Sequence, residues 1–169
     1  MGAFDKIERS VENAVDNVFS RAFRSDLKPV ELASGIKKSM DDKAAAITRD
    51  RLITPNDFTI SISESDFGKI LDWGEDELRS ELIAIATQYA REQRYTFLGP
   101  INITFLQNSE LTRGKITVRG VTKKGAVAPV TSTDASEKNP IITVNGERYL
   151  LTGAVTVIGR GSQSDIVVA

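Results

Sequence analysis

The sequence contains neither cysteine nor histidine. Without cysteine there is no disulfide, no thiolate nucleophile and no thiolate metal ligand, which fits a reducing, cytoplasmic compartment. Without histidine the chain lacks the commonest metal ligand and the commonest general base of enzymes. We therefore expect no catalytic residue, no metal site and no cofactor.

Long apolar runs and a strong charge of one sign are also missing. No apolar run approaches the roughly 20 residues that a membrane-spanning helix needs. The formal net charge is −1, so the chain as a whole is not steered towards nucleic acid or anionic lipid. Acidic clusters such as Asp41-Asp42 and Glu75-Asp76-Glu77 fall at helix ends and solvated faces, which favours a structural over a catalytic interpretation.

Helical periodicity is the first pattern that is present. From Ala3 to about Phe23 it predicts an amphipathic helix that packs on a core, with dimerisation or binding of a partner through the same face as alternatives. A second helix is predicted from Pro29 to about Ala46, and Gly35 in its interior indicates a close helix approach. A longer helix is predicted from about Glu75 to Glu92.

Alternating apolar residues predict three strands, at Phe58–Ser63, Ile101–Phe105 and Ile116–Val118. We expect the last two strands to pair with each other in antiparallel fashion. The order helix, helix, strand, helix, strand, strand (ααβαββ) predicts an α+β two-layer domain over residues 1–120. The polar stretch 121–140 is predicted to be a flexible linker.

The C-terminal stretch, residues 141–169, contains strand signals only. Asn145-Gly146 between alternating runs is the favoured type I′ pair and predicts a β-hairpin. Val155–Ile158, then Gly159-Arg160-Gly161, then Asp165–Val168 predict a strand, a tight turn and a second strand. A guanidinium held between glycines at a strand end can present its fork to a phosphate, and the alternative is a solvated turn arginine. Because so small a sheet needs packing support, either the sequence is a fragment of a longer protein or these strands pack elsewhere. We expect a fragment, since the sequence stops within a predicted strand.

The stretch around Arg160 resembles a known family. Ile158-Gly159-Arg160-Gly161 followed by Ser164-Asp165-Ile166-Val167-Val168 is similar to the opening of a forkhead-associated (FHA) domain, the phosphothreonine-binding β-sandwich. The resemblance implies that Arg160 contacts the phosphate and that residues 141–169 are the first strands of a truncated FHA domain. The family's later Ser-x-x-His and Asn-Gly motifs have no counterpart after Arg160. We therefore expect phosphothreonine peptides to bind these residues weakly or not at all.

Three segments before the linker carry a second resemblance, to the N-terminal domain that precedes an FHA domain in actinobacterial FhaA-type signalling proteins. They are Asn56-Asp57-Phe58-Thr59-Ile60, Leu98-Gly99-Pro100-Ile101 and Gly114-Lys115-Ile116-Thr117-Val118-Arg119-Gly120. The resemblance implies a non-catalytic signalling adaptor in the cytoplasm. Its implied partners are a Ser/Thr protein kinase, phosphothreonine-containing proteins and a membrane-bound partner in cell-envelope (peptidoglycan) synthesis, which would bring it near the membrane.

Four threonines in predicted loops are candidate phosphorylation sites: Thr112, Thr122, Thr131 and Thr133. The alternative function is that of a small α+β nucleic-acid-binding domain, which would show a basic stripe, a Gly-x-x-Gly clamp loop or exposed stacking aromatics. Lys123-Lys124-Gly125 is too short a basic run and no clamp loop is present. We therefore expect no nucleic-acid partner.

Overall fold

The computed structural model describes residues 27–49, 51–131 and 139–169, except for the side chain of Trp73. The helix predicted for Ala3 to Phe23 lies outside the described residues. Contacts divide the described residues into two units. The described residues of the first unit are 27–38, 59–86 and 103–119, and those of the second are 39–49, 51–58, 87–102, 120–131 and 139–169.

The described helices are α1 (Pro29–Asp42), α2 (Glu64–Trp73) and α3 (Glu75–Gln93). α1 begins at its proline as predicted, because the missing N–H of proline is not needed in a first helical turn. It ends at Asp42, so the predicted extension to Ala46 is wrong. Gly74 separates α2 from α3. Its φ of 114° is a conformation that glycine adopts readily, and its N–H donates to the carbonyl of Ile70, which caps the end of α2. None of these helices is both long and apolar enough to cross a membrane.

The described strands are, in chain order, β1 (Ala45–Thr48), β2 (Arg51–Ile53), β3 (Asp57–Ile62), β4 (Tyr95–Thr96), β5 (Asn102–Gln107), β6 (Ile116–Val121), β7 (Val127–Pro129), β8 (Ile141–Val144), β9 (Glu147–Leu151), β10 (Ile158–Gly159) and β11 (Ile166–Val167). They form small sheets with the orders β1-β2-β4, β5-β3-β6, β7-β9-β8 and β10-β11. The helices lie in the first part of the chain, among strands, and the strands β4 to β11 follow the last helix. The predicted α+β class is confirmed.

The sheet β5-β3-β6 has β3 at its centre. The prediction that β5 and β6 pair with each other is therefore wrong. The N–H of Asn102 donates to Asn56 at the start of β3, and the N–H of Asn108 donates to Ile62 at its end, so β3 and β5 run parallel. Parallel neighbours need a long crossover, and the segment between them supplies α2 and α3. β3 suits the central place because its alternate residues Phe58, Ile60 and Ile62 are completely buried.

Helix α1 packs closely on β6 at Gly35. A Cβ atom at this position would lie 2.6 Å from Cγ2 of Val118 and 3.5 Å from Cδ1 of Ile116. The predicted close approach is therefore present, but its partner is a strand rather than a helix. Leu32 and Ile36 of the same helix are buried, as the helical periodicity predicts.

In the second unit, the predicted hairpin of β8 and β9 is confirmed. Val144 pairs with Glu147 across the turn, and Asn145 and Gly146 have φ angles of 52° and 83°, the positive pair that a type I′ turn requires. β7 pairs with the other side of β9 in antiparallel register. It lies within the stretch predicted to be a linker, although the boundaries at 120 and 140 stay a prediction.

A second hairpin in this unit, β1 and β2, was not predicted. Ala46 pairs with Leu52, and the register shifts between Ala46 and Thr48. β2 then pairs in parallel with the short strand β4. Alanine has the highest helix propensity, which explains why Ala45 and Ala46 were assigned to the preceding helix.

Candidate functional site

The turn that carries Arg160 joins β10 to β11. Ile158 pairs with Ile166 and Gly159 pairs with Val167, and the two strands run parallel. The N–H of Ser164 donates to the carbonyl of Gly161 at 3.0 Å, which closes the loop between the strands. We call residues 159–164 the Arg160 turn. Arg160 thus follows directly on the last paired residue of β10.

Asp165 anchors the Arg160 turn. Its carboxylate accepts a hydrogen bond from the N–H of Val157 at 2.8 Å, just before β10. Two backbone bonds support the same closure, from Ile166 N–H to the Val157 carbonyl at 3.1 Å and from Val168 N–H to the Gly159 carbonyl at 2.9 Å. The backbone on both sides of Arg160 is therefore held in place. Sequence reasoning assigned no role to Asp165, although its position at the start of the second strand was a usable signal.

The side chain of Arg160 is exposed, and among the described residues it has no hydrogen bond and no ion pair. An arginine guanidinium is always charged and offers a planar fork of N–H donors. Asp165, the acidic residue of the same loop, is engaged with the N–H of Val157. The structure therefore presents Arg160 in a form that can bind an anion, and its role as the phosphothreonine contact stays a prediction.

The two glycines that flank Arg160 differ. A Cβ atom at Gly159 would lie 2.8 Å from Oγ of Ser164, whereas Gly161 has open space around it. Ser164 therefore packs where a side chain at position 159 would project. A side chain at position 159 would therefore require the Ser164 hydroxyl to rotate away, whereas one at position 161 would meet no neighbour.

Several large apolar residues before and after the Arg160 turn in sequence have exposed side chains. Val155, Val157, Ile158 and Val167 are among the large apolar residues that remain exposed, and Val155 is 75% exposed. Ile166, in contrast, is 1% exposed and belongs to the core of its unit.

A second constellation is buried around Asn56. Its side-chain N–H2 group donates to the carbonyls of Pro100 at 2.8 Å and Lys123 at 3.0 Å, and its Oδ1 accepts from the N–H of Lys123 at 2.8 Å. We call Asn56, Pro100 and Lys123 the Asn56 clasp. Asn56 is completely buried, so each of these bonds satisfies a group that water cannot reach. The sequence pattern Pro55-Asn56 indicated only a turn.

Glycines allow the backbone to approach the Asn56 clasp. A Cβ atom at Gly99 would lie 2.6 Å from the carbonyl oxygen of Lys123 and 2.9 Å from Nδ2 of Asn56. One at Gly120 would lie 3.0 Å from Cβ of Pro55 and 3.1 Å from Cε1 of Phe58. One residue from each of the three segments that carry the FhaA-type resemblance, Asn56, Gly99 and Gly120, therefore lies in this region of the second unit.

Comparison with protein families gives a match over most of the chain. The family model described as FhaA, N-terminal domain, matches residues 4–119. The chain belongs to this family. The predicted resemblance to FhaA-type proteins is thereby confirmed. The match ends at residue 119, and the Arg160 turn lies beyond it.

A relative and a solved structure agree with the FhaA assignment. The chain is similar to the FHA domain-containing protein FhaA of Mycobacterium tuberculosis, 28% identical over 116 residues that cover 68% of this chain and 22% of that protein. It thus spans 22% of the length of this curated relative. The solved structure described as Rv0020c_Nter matches with a TM-score of 0.54 and 23% identity, over 66% of this chain and 80% of that chain. At this identity the second likeness is one of fold.

The candidate phosphorylation sites of this FhaA-family chain have different settings. Thr112 is exposed in the loop between β5 and β6, which is fixed because the carboxylate of Asp66 accepts from the N–H of Gly114 at 2.8 Å. Thr122 is also exposed. Thr131 is half-buried, and its hydroxyl donates to the carbonyl of Tyr95. Thr133 lies outside the described residues.

Two tyrosines of the second unit share one carboxylate. The hydroxyls of Tyr89 and Tyr95 donate to the two oxygens of Asp41 at 2.7 and 2.8 Å, and the rings meet edge to face. Burial, followed by the hydrogen bond to Asp41 and the charge of that carboxylate, raises the pKa of Tyr89 to about 12. The same causes raise the pKa of Tyr95. These hydroxyls therefore hold their protons, and the cluster is structural at neutral pH.

Proposed function

We propose that this chain is part of a non-catalytic signalling adaptor that acts in phosphorylation-dependent protein interactions of Ser/Thr protein kinases. Residues 1–120 form the FhaA-type domain, 121–140 connect it to the following strands, and 141–169 are the first strands of an FHA domain. The observation that carries the proposal is the order of two features. The first is the FhaA match over 4–119, and the second is the exposed Arg160, which lies between anchored strands and has no ion pair among the described residues. The FHA domain named in the M. tuberculosis relative supports this reading.

Arg160 would bind the phosphate through its positive charge and through the planar geometry of its guanidinium group. A phosphothreonine carries about −1.5 to −2 charges and three strong acceptor oxygens. A guanidinium can bind two of these oxygens with parallel hydrogen bonds. Because the backbone on both sides of Arg160 is fixed by Asp165 and by the pairing of β10 with β11, little backbone freedom is lost on binding. One exposed cation supplies limited affinity, so we expect weak binding by these residues.

We further propose phosphothreonine-containing proteins and a Ser/Thr kinase as partners, with a membrane-bound protein of cell-envelope (peptidoglycan) synthesis among them. The chain would then act in the cytoplasm, close to the membrane through that partner. Thr112 and Thr122 are the preferred kinase targets, because their side chains are exposed on loops. Thr131 is a poorer target, since its hydroxyl is already engaged with the carbonyl of Tyr95.

The test of phosphate reading is an NMR titration of the 169-residue chain with a threonine peptide and its phosphorylated form. The phosphopeptide should shift the amide signals of Gly159 and Gly161, and the unphosphorylated peptide should not. Arg160→Ala should abolish these shifts, while Arg148→Ala, an exposed arginine on β9, should retain them. Equal shifts with both peptides, or unchanged shifts in Arg160→Ala, would contradict the proposal.

The test of the kinase targets is mass spectrometry after treatment with a Ser/Thr kinase. Phosphate should appear on Thr112 or Thr122 before Thr131. The double variant Thr112→Val/Thr122→Val should lose most of the incorporation, whereas Thr131→Val should not. Absence of phosphate from both exposed threonines would remove them as targets.

A further inference from the structure

In the part of the chain that the structure describes, one face of the sheet β5-β3-β6 is not covered by another element. On the inner face, α1 packs at Gly35 against Ile116 and Val118, and Ile60 and Phe105 are buried. The side chains that alternate with these residues project to the other side. Because none of them is buried, no described element covers that side. We call these residues the hydroxyl face: Thr59, Ser61, Thr104, Leu106, Thr117 and Arg119.

The hydroxyl face is rich in hydrogen-bond donors that the described structure does not use. Within 27–49, 51–131 and 139–169, its four hydroxyl groups have no hydrogen-bond partner. Thr104 and Thr117 are exposed on the outer strands, while Thr59 and Ser61 are half-buried on the central strand. If the hydroxyl face bound no partner, only water would make hydrogen bonds to its hydroxyl groups. Hydroxyl groups fixed on adjacent strands are also arranged to bind a partner with many acceptors.

The charges on this side that lack a partner among the described residues are positive. Arg119 is exposed and has no ion pair among the described residues, and the same holds for Lys115. Thr117 and Arg119 share one side of β6 because side chains alternate along a strand, and Lys115 directly precedes this strand. The acidic residue of these three strands, Asp57, is already paired with Lys123 at 2.8 Å. Charge complementarity therefore favours an acidic partner.

The composition of the face also selects the class of partner. Proteins that hold single-stranded nucleic acid on a sheet stack bases on aromatic side chains, and the hydroxyl face contains none. It contains Leu106 instead. This leucine is 49% exposed and lies two residues after Thr104 on the same side of β5. A protein segment with carboxylates and an apolar side chain matches cations, hydroxyls and a leucine on one surface.

We propose that the hydroxyl face docks an acidic segment of a partner protein. Carboxylates of the segment bind Lys115 and Arg119 and accept hydrogen bonds from the threonine hydroxyls, and an apolar residue of the segment contacts Leu106. This surface belongs to the FhaA-type domain and does not use Arg160. An experiment that disproves docking on the hydroxyl face therefore leaves the proposed phosphothreonine binding by Arg160 untouched, and the reverse also holds.

The test uses a synthetic acidic peptide of alternating Glu and Leu as the probe and the 169-residue chain as the target. NMR shifts should map to β3, β5 and β6 and should shrink as salt is raised, because exposed charges are screened. Lys115→Ala/Arg119→Ala should weaken binding roughly fivefold, since exposed ion pairs contribute modestly. Lys124→Ala/Arg148→Ala removes the same charges from exposed positions outside the face and should leave binding unchanged.

Two further measurements complete the design. Thr104→Val keeps the shape of the side chain and removes its hydroxyl, so it should weaken peptide binding while the thermal unfolding midpoint stays near that of the unchanged chain. Polyuridylate RNA serves as a competitor of another class. The proposal is overturned if the peptide causes no shifts on these strands, if both double variants bind equally, or if the RNA displaces the peptide and binds more tightly.

Discussion

The side-chain amide of Asn56 pairs with both backbone groups of Lys123, accepting from its N–H at 2.8 Å and donating to its carbonyl at 3.0 Å. The two residues are 67 positions apart in sequence. By accepting from the N–H and donating to the carbonyl of Lys123, the side-chain amide makes the same pair of hydrogen bonds that a residue of a neighbouring strand would make. Its remaining N–H binds the carbonyl of Pro100. One buried side chain thus holds together backbone groups at positions 56, 100 and 123 of the second unit.

Replacing Asn56 with alanine should lower the free energy of unfolding by about 3 kcal/mol, because this completely buried side chain makes three hydrogen bonds and all three are lost. Asn108→Ala is the matched control, since its Oδ1 accepts one local bond from the N–H of Glu110. We expect a loss of about 1 kcal/mol there. Urea denaturation gives both values, and equal losses would show that the Asn56 clasp is not a major source of stability.

Replacing Gly35 with alanine should destabilise the chain by about 1–3 kcal/mol, although alanine is the better helix former by up to about 1 kcal/mol. The added methyl group would lie 2.6 Å from Val118 Cγ2. In a Val118→Ala background the same change should cost much less. Gly68→Ala is the control, because it lies in α2 with no atom within 4 Å of the added carbon, and it should stabilise. A Gly35 effect that is independent of residue 118 would refute the steric explanation.

Replacing Gly146 with alanine should destabilise the β8–β9 hairpin by about 1–2 kcal/mol, since its φ of 83° is unfavourable for residues with a Cβ atom. Gly161→Ala has open space and no positive φ, so its effect should stay within about 0.5 kcal/mol. Chemical denaturation measures the difference. Similar values for the two variants would mean that the turn conformation does not determine the stability of the hairpin.

Stability should fall at alkaline pH through Tyr89 and Tyr95. Burial and the contact with Asp41 raise the pKa of Tyr89 to about 12 and raise the pKa of Tyr95, while an unfolded tyrosine titrates near its model value of 10.0. The unfolded state therefore loses these protons first, so their contribution is complete below pH 10 and is lost as the pH rises towards about 12.

The measurement is the free energy of unfolding between pH 9 and pH 12, combined with ultraviolet titration of the three tyrosines. Tyr89→Phe should show a shallower loss of stability over this range than the unchanged chain. Asp41→Asn should lower the pKa of Tyr89 towards its usual value, without removing the part of the shift that burial causes. An unchanged slope in Tyr89→Phe would exclude Tyr89 as the titrating group.

Features set by local chemistry were predicted from the sequence, and features set by distant contacts were not. The alternation of Phe58, Ile60 and Ile62 identified β3, and Asn145-Gly146 identified the hairpin turn. The order of strands in the sheet β5-β3-β6 depends on how the crossover returns, which alternation along one strand does not encode. The pairing of β5 with β6 was therefore predicted wrongly.

The candidate site shows the same division. Arg160 was found because glycines on both sides form a local motif, whereas its anchor Asp165 acts on Val157 across the turn. Asn56 was interpreted as a turn residue, since nothing near it in sequence indicates its bonds to Pro100 and Lys123. Contacts of this range become visible only when the chain is folded.

Strand β7 has a practical consequence for dividing this chain. Val127, Ala128 and Pro129 pair with Leu151, Leu150 and Tyr149, so β9 has neighbours on both sides. A shorter protein that begins at Ile141 would keep the hairpin but would lack β7. The edge of β9 that pairs with β7 would then have unpaired backbone N–H and C=O groups, which can pair with another chain. Work on the Arg160 turn in isolation should therefore start upstream of Val127, or aggregation would be mistaken for binding.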